Sequence, residues 1–375
     1  MTTLRRIVSR VVGHPVSLLL VMIALWLWSG IADRATVQLL SFLMINILLA
    51  QSINLLTGIA GQISLGHAGF FGVGAYVSAI VTRTFSMPVL LGIAGGTAAA
   101  ALVGWLLAIP AGRVREFYLA MMTAAFGLLF FEVAKEWTAV TGGIMGVGSI
   151  PSPTLKNLVV FGWSLDLVDL FRVLLVVVAI VLVLLRNLVQ SHHGRALFAI
   201  QVSEVAAGSI GISRGGAKRR AYAVSAAIAG LAGAFYAHLV GYLGPDSFTI
   251  MRSVEVLVMA IAGGMGTFVG PILGAALFTY LPDKLQAFAD YQFMVYGLIL
   301  ALIFLLLRRG IAGTLLEPTR FIPARALRAG KAEALPAAPI TDEPVLTVEK
   351  MTRRFAGLVA VDAVSLDLRP GRITA

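Results

Sequence analysis

The sequence predicts an all-α polytopic membrane protein of about eight membrane spans plus a re-entrant helical hairpin, followed by a short β-rich fragment. Three observations predict it. Of 375 residues, 59% are hydrophobic and only 13% charged, against about 25% charged in a soluble domain. Apolar stretches of roughly 16 to 23 residues recur, long enough to cross a hydrocarbon core of about 30 Å. Lys and Arg gather at the ends of those stretches, as they do in cytoplasmic loops.

The spans fall at 16–32, 36–57, 63–82, 88–110, 117–135, 168–185, 221–241 and 291–307. The first follows Arg5, Arg6 and Arg10. No small-x-small cleavage site leads from it into a soluble domain, so it reads as a span, not a signal peptide. With the N-terminus inside, Arg113 and Arg115 fall inside after the fourth span. Arg186, Arg195, Arg214, Lys218, Arg219 and Arg220 fall inside between the sixth and seventh, and Arg308 and Arg309 inside after the last. The outer loops carry only single cations: Arg34, Arg83, Lys156, Arg252 and Lys284. Parity then constrains the apolar block 254–280. It must enter from outside and return there, yet it is too short for two crossings at about 1.5 Å per residue. A re-entrant or steeply tilted hairpin fits, with GGMG (263–266) at its turn and neighbouring helices burying it. Gly266, Gly270 and Gly274 stand at four-residue spacing on its second arm, where small residues let helices pack closely.

Residues 1–316 therefore form the membrane domain. The Pro-, Ala- and charge-rich stretch 317–343 reads as a linker. Beyond it VLTVEKM (345–351) and VAVDAVSLDL (359–368) alternate as strands do.

Composition also excludes functions. There is no cysteine, hence no disulfide and no thiolate metal site. The net charge of +11 lies at span ends and in the tail, so it marks membrane topology and not a nucleic-acid partner. Glu132, Lys135 and Glu136 lie at one end of a span, and Asp246 and Glu255 lie near the outer boundary. Carboxylates at mid-membrane, the machinery of ion-coupled carriers, are missing. No Ser/His/Asp set or HExxH suggests an enzyme.

Two stretches carry the functional signal. NLLTGIAGQISLGHAGFFGVGAY (54–76) sets Asn54, Thr57, Gln62, Ser64 and His67 among glycines. Glycine permits an unwound turn, and uncharged polar groups beside it can line a path for a small polar solute. The simpler reading of each residue alone is an interhelical hydrogen bond. The second stretch is the basic-side loop 191–218, whose centre 196–210 has helical character. Such a helix lies on the membrane surface or docks in a groove of a soluble partner, and the residues alone leave that choice open.

Within that loop Glu204, Ala206, Ala207 and Gly211 resemble the EAA-type coupling loop of ABC importer permeases. The stretch 54–76 is very similar to the characteristic segment of LivM-type permeases, and GRALFAIQVSEVAAGSIGI, GGMGTFVGPILGAAL and TGGIMGVGSIP (141–151) resemble their counterparts. The resemblance covers most of 36–309. It implies a transporter subunit, not an enzyme, in an ATP-driven importer of branched-chain amino acids in a bacterial inner membrane. Relatives take urea, short amides or aromatic acids. The implied partners are a second, LivH-type permease, ABC ATPase subunits and a periplasmic substrate-binding protein. Arg195, Glu204, Ala206, Ala207 and Gly211 would contact the ATPase. GRALFAIQVSE stands where relatives often read GRALRAIREDE, so two or three charges are missing there.

The tail from Glu343 resembles the opening residues of a LivG-type ABC ATPase. In such domains an aromatic at the position of Phe355 stacks on the adenine of ATP, and the next strand leads into GxxxxGK[ST]. That motif is not in this sequence. The expectation is a permease–ATPase fusion seen up to the phosphate loop. From the residues alone, a passive facilitator for a small neutral solute and a membrane scaffold without transport stay open.

Overall fold

A computed structural model describes residues 15–111, 116–151, 167–285, 291–307, 310–315, 344, 346–355 and 358–369. The chain divides into two compact units, 1–323 and 324–375. Numbered in chain order, the first unit holds α1 (Pro15–Trp28), α2 (Arg34–Ile53), α3 (His67–Arg83), α4 (Val89–Ala111), α5 (Glu116–Glu136) and the single turn α6 (Thr138–Thr141). It continues with α7 (Leu167–Gln190), α8 (His192–Val202), α9 (Glu204–Ser209), α10 (Arg214–Val240), α11 (Ile250–Gly263), α12 (Gly270–Leu285), α13 (Gln292–Leu306) and α14 (Gly310–Leu315).

Each of the eight expected spans holds a helix. Among the described residues five of these are long and apolar enough to cross a membrane unaided: α2 with its π-helical extension, α4, α5, α7 and α10. The helices α1, α3 and α13 are shorter as described, at 14, 17 and 15 residues. The basic residues expected at the first span, after the fourth, at 156 and at 308–309 lie outside the described residues.

Three sequence expectations need correction. The helix of the seventh span starts at Arg214, so Lys218, Arg219 and Arg220 lie on it and not in a loop. The helical centre expected at 196–210 is two helices. Ser203 is extended (φ −162°, ψ 113°), and its hydroxyl accepts the Ala206 amide, starting a new helix. The hairpin of 254–280 is present but longer, running from Ile250 to Leu285. Gly266 (φ 77°) sits in its turn and not on its second arm.

Small residues hold the core of the first unit together. Gly92, Gly96, Ala100 and Gly104 form one stripe along α4, and α10 and α3 press against it. A Cβ on Gly74 would overlap the backbone of Gly230, one on Gly230 would overlap Ala100, and one on Gly104 would overlap Ala226. In lipid, water does not drive helices together, so close backbone approach and dispersion supply the attraction. Within the hairpin, Gly263 abuts the backbone of Gly270, and Gly274 that of Met259. Two of the three spaced glycines thus serve helix packing.

The central helix α2 is buried along most of its length. Asp33 caps it, accepting the Thr36 amide and hydroxyl. These same bonds hold the exposed Asp33 carboxyl below its usual range. At the far end of α10, Val147 and Leu243 exchange backbone hydrogen bonds of 2.9 and 2.8 Å, and Tyr242 donates to Met145 O. This pairing ties the glycine-rich segment 142–148 to the chain leaving α10.

The second unit contains an antiparallel hairpin, β1 (Leu346–Phe355) and β2 (Leu358–Leu368). Its register shifts between Val348 and Arg354. Lys350 and Ala363 take positive φ there and bond across the strands to the hydroxyls of Ser365 and Thr352. The linker 317–343 lies outside the described residues.

Gly74→Leu places a side chain on the Gly230 backbone. It is expected to destabilise the protein by about 1–3 kcal/mol, the usual range for overpacking. Thermal unfolding in detergent checks this against Gly215→Ala, where open space surrounds the site.

Candidate functional site

The helix α2 does not continue through 54–76. It widens into a π-helical turn, Asn54–Ile59, and then runs without helix through 60–66 until His67 starts α3. Gly61 takes φ 70°, a left-handed value that costs glycine little. The sequence reading of an unwound glycine-rich turn is therefore met at this place.

Breaking a helix frees backbone groups, and several of them find partners on neighbouring elements. Gly58 O accepts from Gln201 Nε2 at 3.0 Å. Gln62 O accepts from Thr57 Oγ1 at 3.0 Å, and the Leu65 amide donates to Thr123 Oγ1 at 3.0 Å. Where α3 begins, the Ala68 amide donates to Ser253 Oγ of α11 at 2.9 Å. Segments from α5, α8 and α11 thus converge on one break.

Asn54, Gln62, Ser64 and His67, the residues expected to line a path, are all buried and belong to this assembly. Asn54 faces the hairpin turn: its Nδ2 donates to Thr267 O at 2.9 Å, and its Oδ1 accepts the Gly266 amide at 2.7 Å. Gln51, one turn earlier, donates to Phe268 O. Ser64 and His67 form a relay. Ser225 Oγ donates to Ser52 O at 2.7 Å, so it accepts from His67 Nε2 at 3.0 Å. The other ring nitrogen, Nδ1, then accepts from the Ser64 hydroxyl, also at 3.0 Å. Partners on both nitrogens make His67 a bridge between α3, α10 and α2. Gln62 lies deepest toward the loop. Its Nε2 is 3.3 Å from Ala60 O and 3.5 Å from Glu204 Oε1, and its buried Oε1 has no hydrogen-bond partner among the described residues.

The five residues expected at the ATPase contact separate into two groups. Arg195, Ala206 and Gly211 are exposed, and Arg195 caps the end of α7 through Gln190 O. Gly211 takes φ 85° with nothing near its missing side chain. Ala207 is buried. Glu204 turns inward and forms an ion pair with Lys218, whose side chain is 1% exposed. Around the outward group stand Val202, Val205 and Ile210, at 86%, 77% and 74% exposure.

Sequence reasoning missed Lys218 and Gln201. Lys218 read as one of a basic cluster. Yet it is in step with Tyr222, Ser225 and Ala229, the buried face of α10, and that helical spacing was the available signal. Gln201 had none. Phe355 closes β1, and its side chain lies outside the description. Among the described residues no cluster of His, Cys, Asp or Glu has metal-binding form.

Apolar helices around a broken core helix tied to a polar loop are consistent with a membrane permease. The family model for the permease component of branched-chain amino acid transport systems matches residues 35–307, and the chain belongs to that family. It is 33% identical over 305 residues to the high-affinity branched-chain amino acid transport system permease protein LivM of Escherichia coli K12, covering 76% of this chain and 71% of that protein. It is 32% identical over 327 residues to LivM of Salmonella typhimurium, covering 82% and 75%. With the permease protein LivH of Escherichia coli K12 it shares 24% identity over 282 residues, covering 71% and 90%. No solved structure matches the chain. The protein is thus a transport permease, as its relatives are.

Removing Glu204 leaves the Lys218 ammonium buried without this carboxylate. Glu204→Gln is expected to destabilise the protein by about 3 kcal/mol, near the lower end for breaking a buried pair. The double variant Glu204→Gln/Lys218→Met should recover most of that stability, as read by thermal unfolding of the purified protein.

Proposed function

We propose that the chain is the membrane subunit of an ATP-driven importer of branched-chain amino acids, placed in a bacterial inner membrane with both termini cytoplasmic. Its partners are a second, LivH-type permease, ABC ATPase subunits and a periplasmic substrate-binding protein. The family membership and the names of the LivM and LivH relatives support this reading. One observation carries the mechanism: the loop between α7 and α10 is bonded directly to the unwound segment. Gln201 reaches Gly58, and Glu204, fixed by Lys218, stands 3.5 Å from Gln62. A displacement of α8 and α9 by the ATPase is thereby transmitted to the break in the core helix, without a long intervening chain of contacts. The exposed Val202, Val205 and Ile210 are the face that the ATPase covers. Burial of each such side chain contributes roughly 1.5–3 kcal/mol.

Alternating access then follows from a two-state packing of this region. In one state the segment 58–66 is braced as described. In the other its braces shift together, because Gln201 and Thr123 hold Gly58 and Leu65 while the hairpin turn and Ser253 hold the flanking Asn54 and Ala68. The hairpin β1–β2 and its alternating pattern support a reading of 344–375 as the opening strands of an ATP-binding domain, with Phe355 as the adenine platform. The sequence contains no GxxxxGK[ST] cradle, so the residues present do not fit the nucleotide's phosphates. Transport energy in this mechanism is supplied by ATPase domains acting on α8 and α9.

Val205→Asp and Ile210→Asp change exposed side chains only. Each is expected to abolish labelled leucine uptake in cells carrying the importer, to prevent co-purification of the ATPase subunits, and to leave the melting temperature unchanged. Normal, ATP-dependent uptake by both variants contradicts the docking face. Wild-type uptake that persists in ATP-depleted membrane vesicles contradicts the importer and favours a facilitator.

A further inference from the structure

A second polar cluster lies away from the unwound segment. Roughly 33 Å along α10 from Arg214, at about 1.5 Å per residue, the chain reaches Tyr236 and then the 3₁₀ turn Pro245–Phe248. Here α2, α3, α10, α11, α12 and that turn line an open cavity of about 500 Å³, within the range of roughly 300–1,000 Å³ typical of small-molecule sites. It lies at the end of α10 remote from the loop 191–213.

Its chemistry is two-sided. On one side Arg252 is held flat by two bonds: Nη1 donates to Glu255 Oε2 at 2.7 Å, and Nη2 donates to Asn46 Oδ1 at 2.8 Å. Asn46 is fixed in turn, its Nδ2 donating to Thr279 Oγ1 at 3.0 Å. Asp246 lines the same cavity, is exposed, and has no ion-pair partner among the described residues. The lining also has an apolar part: Leu39, Phe42, Phe71, Met251 and Phe278. Phe71 and Tyr236 pack with ring planes tilted by 53° and centroids 5.2 Å apart.

One guanidinium and two carboxylates give the cavity a formal charge of −1. That disfavours a simple anion and favours a ligand bearing an ammonium group. The guanidinium, oriented and still reaching solvent, suits a carboxylate. The apolar part suits an aliphatic side chain. A neutral amide or urea satisfies neither charge.

We propose that this cavity is the site where a zwitterionic amino acid with an aliphatic side chain first lodges in the membrane subunit, its carboxylate on Arg252 and its ammonium between Asp246 and Glu255. The proposal rests on the importer reading for its place in transport, and it assigns the site from the cavity's own residues. Sequence reasoning had placed Asp246 and Glu255 near the outer boundary without a role.

The test uses the full-length chain in lipid nanodiscs and labelled L-leucine. Leucine methyl ester lacks the carboxylate, and 4-methyl-2-oxopentanoate lacks the ammonium. Each is expected to compete roughly tenfold to a hundredfold less well than leucine, the loss of one charge-assisted hydrogen bond. Asp246→Asn, which breaks no internal bond, and Arg252→Gln are expected to weaken leucine binding by similar factors. Arg252→Lys, which keeps the charge, controls for folding together with the melting temperature. Equal competition by either analogue, or unchanged binding by Asp246→Asn and Arg252→Gln, overturns the site. Uptake separates the two readings. If wild-type uptake is ATP-driven but the KM of both variants is unchanged, the site fails and the importer stands. If wild-type uptake ignores ATP while binding still needs both poles, the importer fails and the site stands.

Discussion

Backbone amides and carbonyls shut away from water need partners, so a core helix that breaks must find them among the elements packed around it. The break at 54–66 is where this chain meets that demand. Thr57 and Gln62 satisfy part of it locally, through the Gln62 and Ala60 carbonyls. Gln201, Thr123 and Ser253 add one bond each from three other elements. The arrangement of α5, α8 and α11 around the core follows from that requirement as much as from apolar packing. The hairpin turn is fixed the same way, with Asn54 bonding both Thr267 and Gly266.

Because the braces come from several elements, the break joins parts of the protein that packing alone would leave independent. The small-residue seam of α3, α4 and α10 is close and offers little room to slide, since backbone meets backbone at Gly74 and Gly230. The unwound segment is held instead by side-chain hydrogen bonds, each worth about 1 kcal/mol in a membrane interior. Such bonds exchange partners far more easily than a glycine seam repacks. Rigidity and adjustability are therefore divided between two regions of one chain. The Glu204–Lys218 pair lies between them, with its lysine on the buried face of α10 and its carboxylate in the loop.

Much of this was legible in the sequence, for identifiable reasons. Hydropathy is a local property, so the eight helices stand where their apolar runs do. The hairpin was legible from charge parity, and the break at 54–66 from glycines set among amides and hydroxyls. Pairings across the fold were not. Glu204 was expected at the ATPase contact from the loop's resemblance to coupling loops, yet at the start of α9 it pairs with Lys218. Lys218 was hidden by its basic neighbours, and its helical phase with Tyr222 was the cue that distinguished it. Arg252 read as a stray outer-loop cation, since nothing local links it to Asn46, 206 residues away.

The partners of α2 also set an order of events during synthesis. Asn46, Gln51 and Asn54 bond to Thr279, Phe268 and Thr267, groups made 233, 217 and 213 residues later. At a ribosomal pace of about 5–20 residues per second, that delay is roughly ten to forty seconds. During it α2 must enter the bilayer with three amides waiting for their final partners, retained by the leucines and isoleucines around them. The core helix of the finished permease is thus among the first segments inserted and among the last completed.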